Sequence, residues 1–272
     1  MDWPVVVVMV LTAAVMEFID SGIGMGYGTV LTPLLMAFGY KPLEVVPAIL
    51  LSQAVGGLTA TIFHQKHQNV DLLPGSMNPG TILGALKEHG IVESFRRGFT
   101  DDMKKVLAII LLGVFAAAVG SVLAVHVPPW ALNAYIGAMV TGIGILLLWG
   151  RTFQFSWKKL IAVGFFASFN KGFSGGGFGP IATGGQVVIT DEHRGSIGRT
   201  TLAEAPICII AFTTYVIQKG FSAYSLLGAL CVGAAFGAVW GPLLTKKLQA
   251  KKIKLILGIL LLVLGIRVLL KL

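Results

Sequence analysis

Eight apolar runs, near residues 4–20, 43–63, 105–125, 130–149, 157–171, 198–218, 222–244 and 252–271, leave this chain little choice of fold. At about 1.5 Å of rise per residue, each is long enough as a helix to span a hydrocarbon layer roughly 30 Å thick. The runs are rich in Gly and Ala, which suits packed helices; they lack the alternation over about ten residues that marks outer-membrane strands. Hydrophobic residues make up 55% of the 272, charged residues 12%, and mean hydropathy is +0.83. A soluble domain carries about twice that charge and cannot hide so much apolar surface. The expected fold is an all-α integral membrane protein, held in the lipid bilayer of the cell membrane. No basic stretch or small-residue cleavage site precedes the first run, which is therefore expected to remain as a helix.

Two shorter runs, near 28–38 and 176–189, each follow a glycine-rich break. The first break reads Phe18-Ile19-Asp20-Ser21-Gly22-Ile23-Gly24-Met25-Gly26-Tyr27-Gly28, and the second Phe169-Asn170-Lys171-Gly172-Phe173-Ser174-Gly175-Gly176-Gly177-Phe178-Gly179-Pro180. Backbone that leaves the helix inside hydrocarbon exposes N–H and C=O groups at several kcal/mol each, so it survives only where protein or a polar cavity satisfies it. Breaks in matching places of two halves are the best pointer in a sequence to a transporter's binding site. The short runs are expected as half-helices, re-entrant segments or short spans.

Charge gives the arrangement. Lys and Arg cluster at 96–105, 151–159 and 246–254, whereas the connections 126–129 and 219–221 are nearly bare. With the clusters on the cytoplasmic side, residues 1–150 and 151–272 each cross an odd number of times, and both termini fall outside. Two inverted repeats of about five helical segments each are the expected domains, 1–150 with a polar insertion at 64–104, and 151–272. Weak matches keep the same order: Asp20 with Asn170, Gly26-Tyr27-Gly28 with Gly177-Phe178-Gly179, Thr32 with Thr183, and Gln53 with Glu204. Ala117-Ala118-Val119-Gly120 likewise resembles Ala234-Ala235-Phe236-Gly237, and Gly137 and Gly144 resemble Gly258 and Gly265. A short amphipathic helix near 81–97 is expected within the insertion. The net charge of +9 is explained by anchoring at segment ends, not by nucleic acid. Cys208 and Cys231 read as small buried hydrophobes, and His64, His67 and His89 lack the partners of a metal site.

An ionisable residue within an apolar run is a functional candidate by default. Lys171 lies in the second break, beside glycines whose exposed N–H groups suit a small anion. The short segments after the breaks would aim their positive ends at the same place. Gly24, Gly175 and Gly176 supply backbone; Ser21, Thr29, Asn170 and Ser174 supply neutral donors; Gln53 faces the site from the other half. Glu204, directly before Ala205-Pro206, is the expected proton-coupling residue or the permanent partner of Lys171. Glu17 is expected at the interface near the end of the first span, and Arg199 at the cytoplasmic start of its helix. No metal, cofactor or catalytic residue is expected: neither break matches a phosphate-binding loop or dinucleotide fingerprint.

At these residues the sequence resembles the TauE/SafE sulfite exporter family, anion carriers of bacteria and archaea. The resemblance runs through Phe18 to Gly57, with its Gly-x-Gly-x-Gly-Tyr-Gly, and through Phe166 to Pro206, with Ser174-Gly-Gly-Gly-Phe-Gly-Pro180, Arg199-Thr-Thr201 and Glu204-Ala-Pro206. It implies transport of sulfite, thiosulfate, sulfonates or related organic anions. The insertion at 64–104 departs from the compact family pattern. The leading expectation is a secondary transporter that exports sulfite by alternating access; a passive anion channel and a non-transporting membrane enzyme or sensor are the alternatives. The sequence leaves the oligomeric state open.

Overall fold

A computed structural model of the chain describes residues 3–72, 99–149, 156–190, 192–245, 247 and 250–270. Among them there are ten α-helices and no strand. The first half holds α1 (Trp3–Ile23), α2 (Tyr27–Ala37), α3 (Pro42–Lys66), α4 (Asp101–His126) and α5 (Pro129–Trp149). The second holds α6 (Trp157–Ser174), α7 (Phe178–Thr190), α8 (His193–Lys219), α9 (Tyr224–Thr245) and α10 (Ala250–Leu269). The short helix expected near 81–97 lies outside the described residues.

Five helices, α1, α3, α4, α8 and α9, are long and apolar enough to cross a membrane. The surface bears them out: Leu111, Phe115, Ile217 and Phe236 face outward, while Lys171, Arg199, Glu204, Glu17 and Gln53 are buried. Apolar outside and polar inside is the inverse of a soluble domain, and lipid is the medium in which it costs nothing.

The helices pack through small residues, as expected where lipid leaves association to close backbone contact. Along α1 and α9 the contacts rise together. Gly233 meets Val10 and Ala13, Gly237 meets Ala14 and Phe18, and Gly241 meets Phe18 and Gly22, so the two helices run the same way. Helices α4 and α6 do likewise, through Gly164 on Ile109, Ser168 on Gly113, and Gly120 on Phe169 and Phe173. In α5 and α10 the order reverses: Gly137 meets Gly265 and Gly144 meets Gly258, an antiparallel pair.

Both breaks form as expected. Helix α1 stops at Ile23 and α2 begins at Tyr27, with Gly24 and Gly26 at φ +80° and +138°. Helix α6 stops at Ser174 and α7 begins at Phe178, with Gly175 and Gly177 at φ +73° and +79°. These are left-handed conformations that a side chain makes costly, so glycine is required there. Gly175 N–H donates to Lys171 O at 2.9 Å and closes α6. Beyond the break α7 turns back along α6, where Gly185 lies against Val163.

Candidate functional site

The two breaks touch each other. A Cβ on Gly28 would strike the Gly175 carbonyl, one on Gly179 would lie 2.5 Å from Gly24 O, and one on Gly176 would lie 3.0 Å from Gly28 O. The Gly177 N–H donates to Thr29 Oγ1 at 3.1 Å, joining the start of α7 to the start of α2. Gly24 faces Thr183 and Gly175 faces Thr32, so the same two kinds of residue meet twice. Bare backbone on both sides is what allows this approach.

Lys171, in the last turn of α6, reaches into the junction. Its Nζ lies 2.9 Å from Glu204 Oε1 and donates to Gln53 Oε1. Gln53 in turn donates through Nε2 to Asp20 Oδ2 at 3.1 Å, and Asp20 Oδ1 accepts from the Tyr27 N–H at 3.1 Å. The start of α2 thus already holds a carboxylate, as a helix N-terminus favours. Gln53 and Glu204 sit near the middle of the long helices α3 and α8. The chain Asp20–Gln53–Lys171–Glu204 therefore links α1, α3, α6 and α8 at mid-height. All four residues are buried, with Lys171 1% exposed.

The other expected residues distribute unevenly. Thr29, Gly24, Gly175 and Gly176 line the junction of the breaks. Ser21 turns away: its hydroxyl donates to Glu17 O at 2.6 Å and it packs on Gly241 of α9. Asn170 faces α5, whereas Ser174, one turn beyond Lys171, stays at the break, where its Oγ accepts from the Gly176 N–H at 3.3 Å. Asn170 accepts from Tyr135 Oη of α5, and Ser174 donates to Asn170 O at 2.8 Å.

Two expectations at the edges are corrected. Glu17 is not interfacial; it is 1% exposed, against Gly56 of α3. Arg199 is not at an open interface but fully buried, because every arm of its guanidinium has a partner. Nη1 meets Asp102 of α4 and Glu192 Oε2 at 2.9 Å, Nε donates to Gln186 Oε1 of α7 at 2.9 Å, and Nη2 donates to Ser196 Oγ at 3.1 Å. Above it opens a cleft of about 880 Å³ lined by Gln65, Asp71, Asp102, Glu192, His193 and Arg194. His64 is also buried, with Nε2 2.8 Å from Ser21 O and Asn69 against its other nitrogen. Sequence reasoning assigned no role to Gln186, Asp102 or His64; their polar character within or beside apolar runs was the available signal.

A membrane-embedded helical protein with paired glycine breaks, a buried ammonium between them and a carboxylate opposite fits one known family over nearly its whole length. The family described as Sulfite exporter TauE/SafE matches residues 9–87 and 89–268. The chain belongs to the TauE/SafE family. A relative is the "Probable membrane transporter protein YtnM" of Bacillus subtilis (strain 168), 22% identical over 258 residues, which cover 89% of this chain and 75% of that protein. No solved structure matches. As a TauE/SafE member the chain is a membrane transporter. Among the described residues no group of three or more His, Cys, Asp or Glu side chains is placed to hold a metal ion.

Proposed function

We propose that this TauE/SafE transporter moves a small sulfur oxyanion, sulfite in the first instance, out of the cell by alternating access between two inverted halves, with both termini outside the cell membrane. Lys171 is the anion's seat. The observation that carries this reading is the placement of one buried ammonium where the two glycine breaks meet, bound to Gln53 of one half and Glu204 of the other. An anion at Nζ would gain a charge-assisted contact together with nearby backbone N–H groups, the combination that small oxyanions favour.

Glu204 makes the seat conditional. While it is ionised, Lys171 is already neutralised and an incoming anion meets a second negative charge. A proton on Glu204 removes that charge and frees the ammonium, so anion loading and proton loading go together. The burial of the site from both sides favours a carrier over a passive channel. Saturable counterflow of sulfite in proteoliposomes, compared with thiosulfate, sulfate and sulfonates under an imposed pH gradient, tests the function. Lys171→Ala is expected to lower anion affinity about tenfold to a hundredfold, the loss of one charge-assisted contact at about 1.5–3 kcal/mol. Unchanged sulfite transport in that variant would remove Lys171 from the site.

A further inference from the structure

A buried carboxylate is normally tied to a donor, because an ion left unpaired in a water-poor interior costs several kcal/mol. Glu17 departs from that rule. It is 1% exposed, and its Oε2 has no hydrogen-bond partner. Its place is built rather than accidental: a Cβ on Gly56 would come within 2.6 Å of the Glu17 carboxyl carbon, so the bare backbone of α3 makes the room. Gly56 lies one turn beyond Gln53, and Glu17 one turn before Asp20. The crossing that joins Asp20 to Gln53 therefore sets Glu17 beside the Lys171 site.

Three carboxyl groups, on Glu17, Asp20 and Glu204, thus share an interior with one ammonium, Lys171. Asp20 has two donors, Gln53 Nε2 and Tyr27 N–H, and Glu204 has the ammonium itself. Glu17 is the one that the Lys171 charge reaches only from a distance, with no donor on its Oε2. Fully ionised, the cluster would repel an anion. We propose that Glu17 is a proton carrier of this transporter: it takes one proton from water on the side where the anion loads and returns it to water on the side where the anion leaves.

The proton adds to a Glu17 oxygen and later departs from it, and no bond of the anion changes. Titratable groups around Glu17 are Asp20 on α1, Tyr27 on α2, His64 on α3, Lys171 on α6, Glu204 and Cys208 on α8, and Cys231 on α9. Gln53 holds Asp20, Ser21 O engages His64, and Ser52 and Leu230 O engage Tyr27. Helix α9 lies on α1 through Gly233, Gly237 and Gly241, and so brings no charge against the carboxyl. This assignment rests on Lys171 as the anion's seat, and it places a second proton beside the one on Glu204.

The test needs no substrate in its first arm. Infrared difference spectra between acidic and alkaline pH, recorded on the purified full chain without added anion, are expected to lose one carboxylic C=O band in Glu17→Gln. Gly56→Ala, whose methyl displaces the carboxyl but keeps it, is expected to shift the midpoint of that band, and it decides the matter if Glu17→Gln fails to fold. A titrating carboxyl spectrum unchanged by the variants overturns the proposal. In proteoliposomes loaded with sulfite, Glu17→Gln is expected to lower the number of protons moved per sulfite by one while counterflow persists. An unchanged ratio overturns it too. If wild-type protein moves no sulfite, the substrate reading fails by itself, and the infrared arm still decides the role of Glu17.

Discussion

A buried ammonium satisfies one close anion at a time, and Lys171 already has one in Glu204, 2.9 Å away. In the proposed function, anion transport through this site is a competition between a fixed carboxylate and a mobile oxyanion, decided by a proton on Glu204. Glu204→Gln keeps the size and the neutrality of the protonated carboxyl but cannot regain charge, so Lys171 stays free at every pH. Sulfite affinity in wild-type protein is expected to rise as pH falls; in Glu204→Gln it is expected to stay high and lose that dependence, read by equilibrium binding to the purified protein. A pH dependence identical to wild type would reject the exchange, and loss of binding with a lower melting temperature would mark a structural pair instead. Lys171 and Glu204 were legible in the sequence because a charge inside an apolar run stands out by cost alone. Glu17 was not, because it lies near the predicted end of its run, where an interfacial place is as cheap as a buried one. Ser21 and Asn170 engage α9 and α5, contacts between distant segments that the sequence does not reveal.

Helix α8 joins the site to the surface. Arg199 lies between one and two turns before Glu204, and Cys208 one turn after it, so a shift of this helix moves all three. Near its start, Arg199 ties α8 to α4 through Asp102, to α7 through Gln186 and to the α7–α8 connection through Glu192. Asp102 is itself held, its Oδ2 accepting from the Asp71 N–H at 2.9 Å, so the tie extends to the segment after α3. Elements of both halves meet at this one guanidinium, directly beneath the 880 Å³ cleft. These ties are expected to keep the cleft from deepening toward Lys171. Arg199→Gln, in a Cys231→Ser background, should speed labelling of the buried Cys208 by a membrane-impermeant thiol reagent about tenfold or more. Removing one partner of a buried pair costs about 3–5 kcal/mol, enough to raise an open population by that factor. An unaltered labelling rate would show that the ties are static packing. The sequence exposed this element only in part: the helix and its Arg were evident, but Asp102 is 97 residues away in the chain and Gln186 lies on the preceding helix.

Across the whole molecule, contacts recur in exchanged pairs. Gly24 faces Thr183 as Gly175 faces Thr32; Gly28 faces Gly175 as Gly179 faces Gly24; α1 lies along α9 as α6 lies along α4. Helices α5 and α10 run antiparallel, and each follows its neighbour, α4 or α9, through a short connection; in the proposed inverted arrangement α4 and α9 point in opposite directions. Helices α1 and α6, each parallel to one of these, then do so too. We propose two halves of opposite orientation on the Lys/Arg distribution, which depends on the membrane's charge asymmetry and not on packing; exchanged contacts are what such halves would show. The helices and their two glycine breaks were readable from sequence because both follow from local composition; how the helices pack was not, because Gly/Ala faces look alike at every turn. Single cysteines test it in a chain whose native Cys208 and Cys231 are replaced. Pro128→Cys, between α4 and α5, and Lys219→Cys, at the end of α8, are expected to react with an impermeant reagent applied to intact cells. Lys247→Cys, between α9 and α10, is expected to react only after the cells are opened. Labelling of Pro128→Cys and Lys247→Cys from the same side would put α4 and α9 in one direction, and the inverted arrangement, with alternating access between its halves, would fall with it.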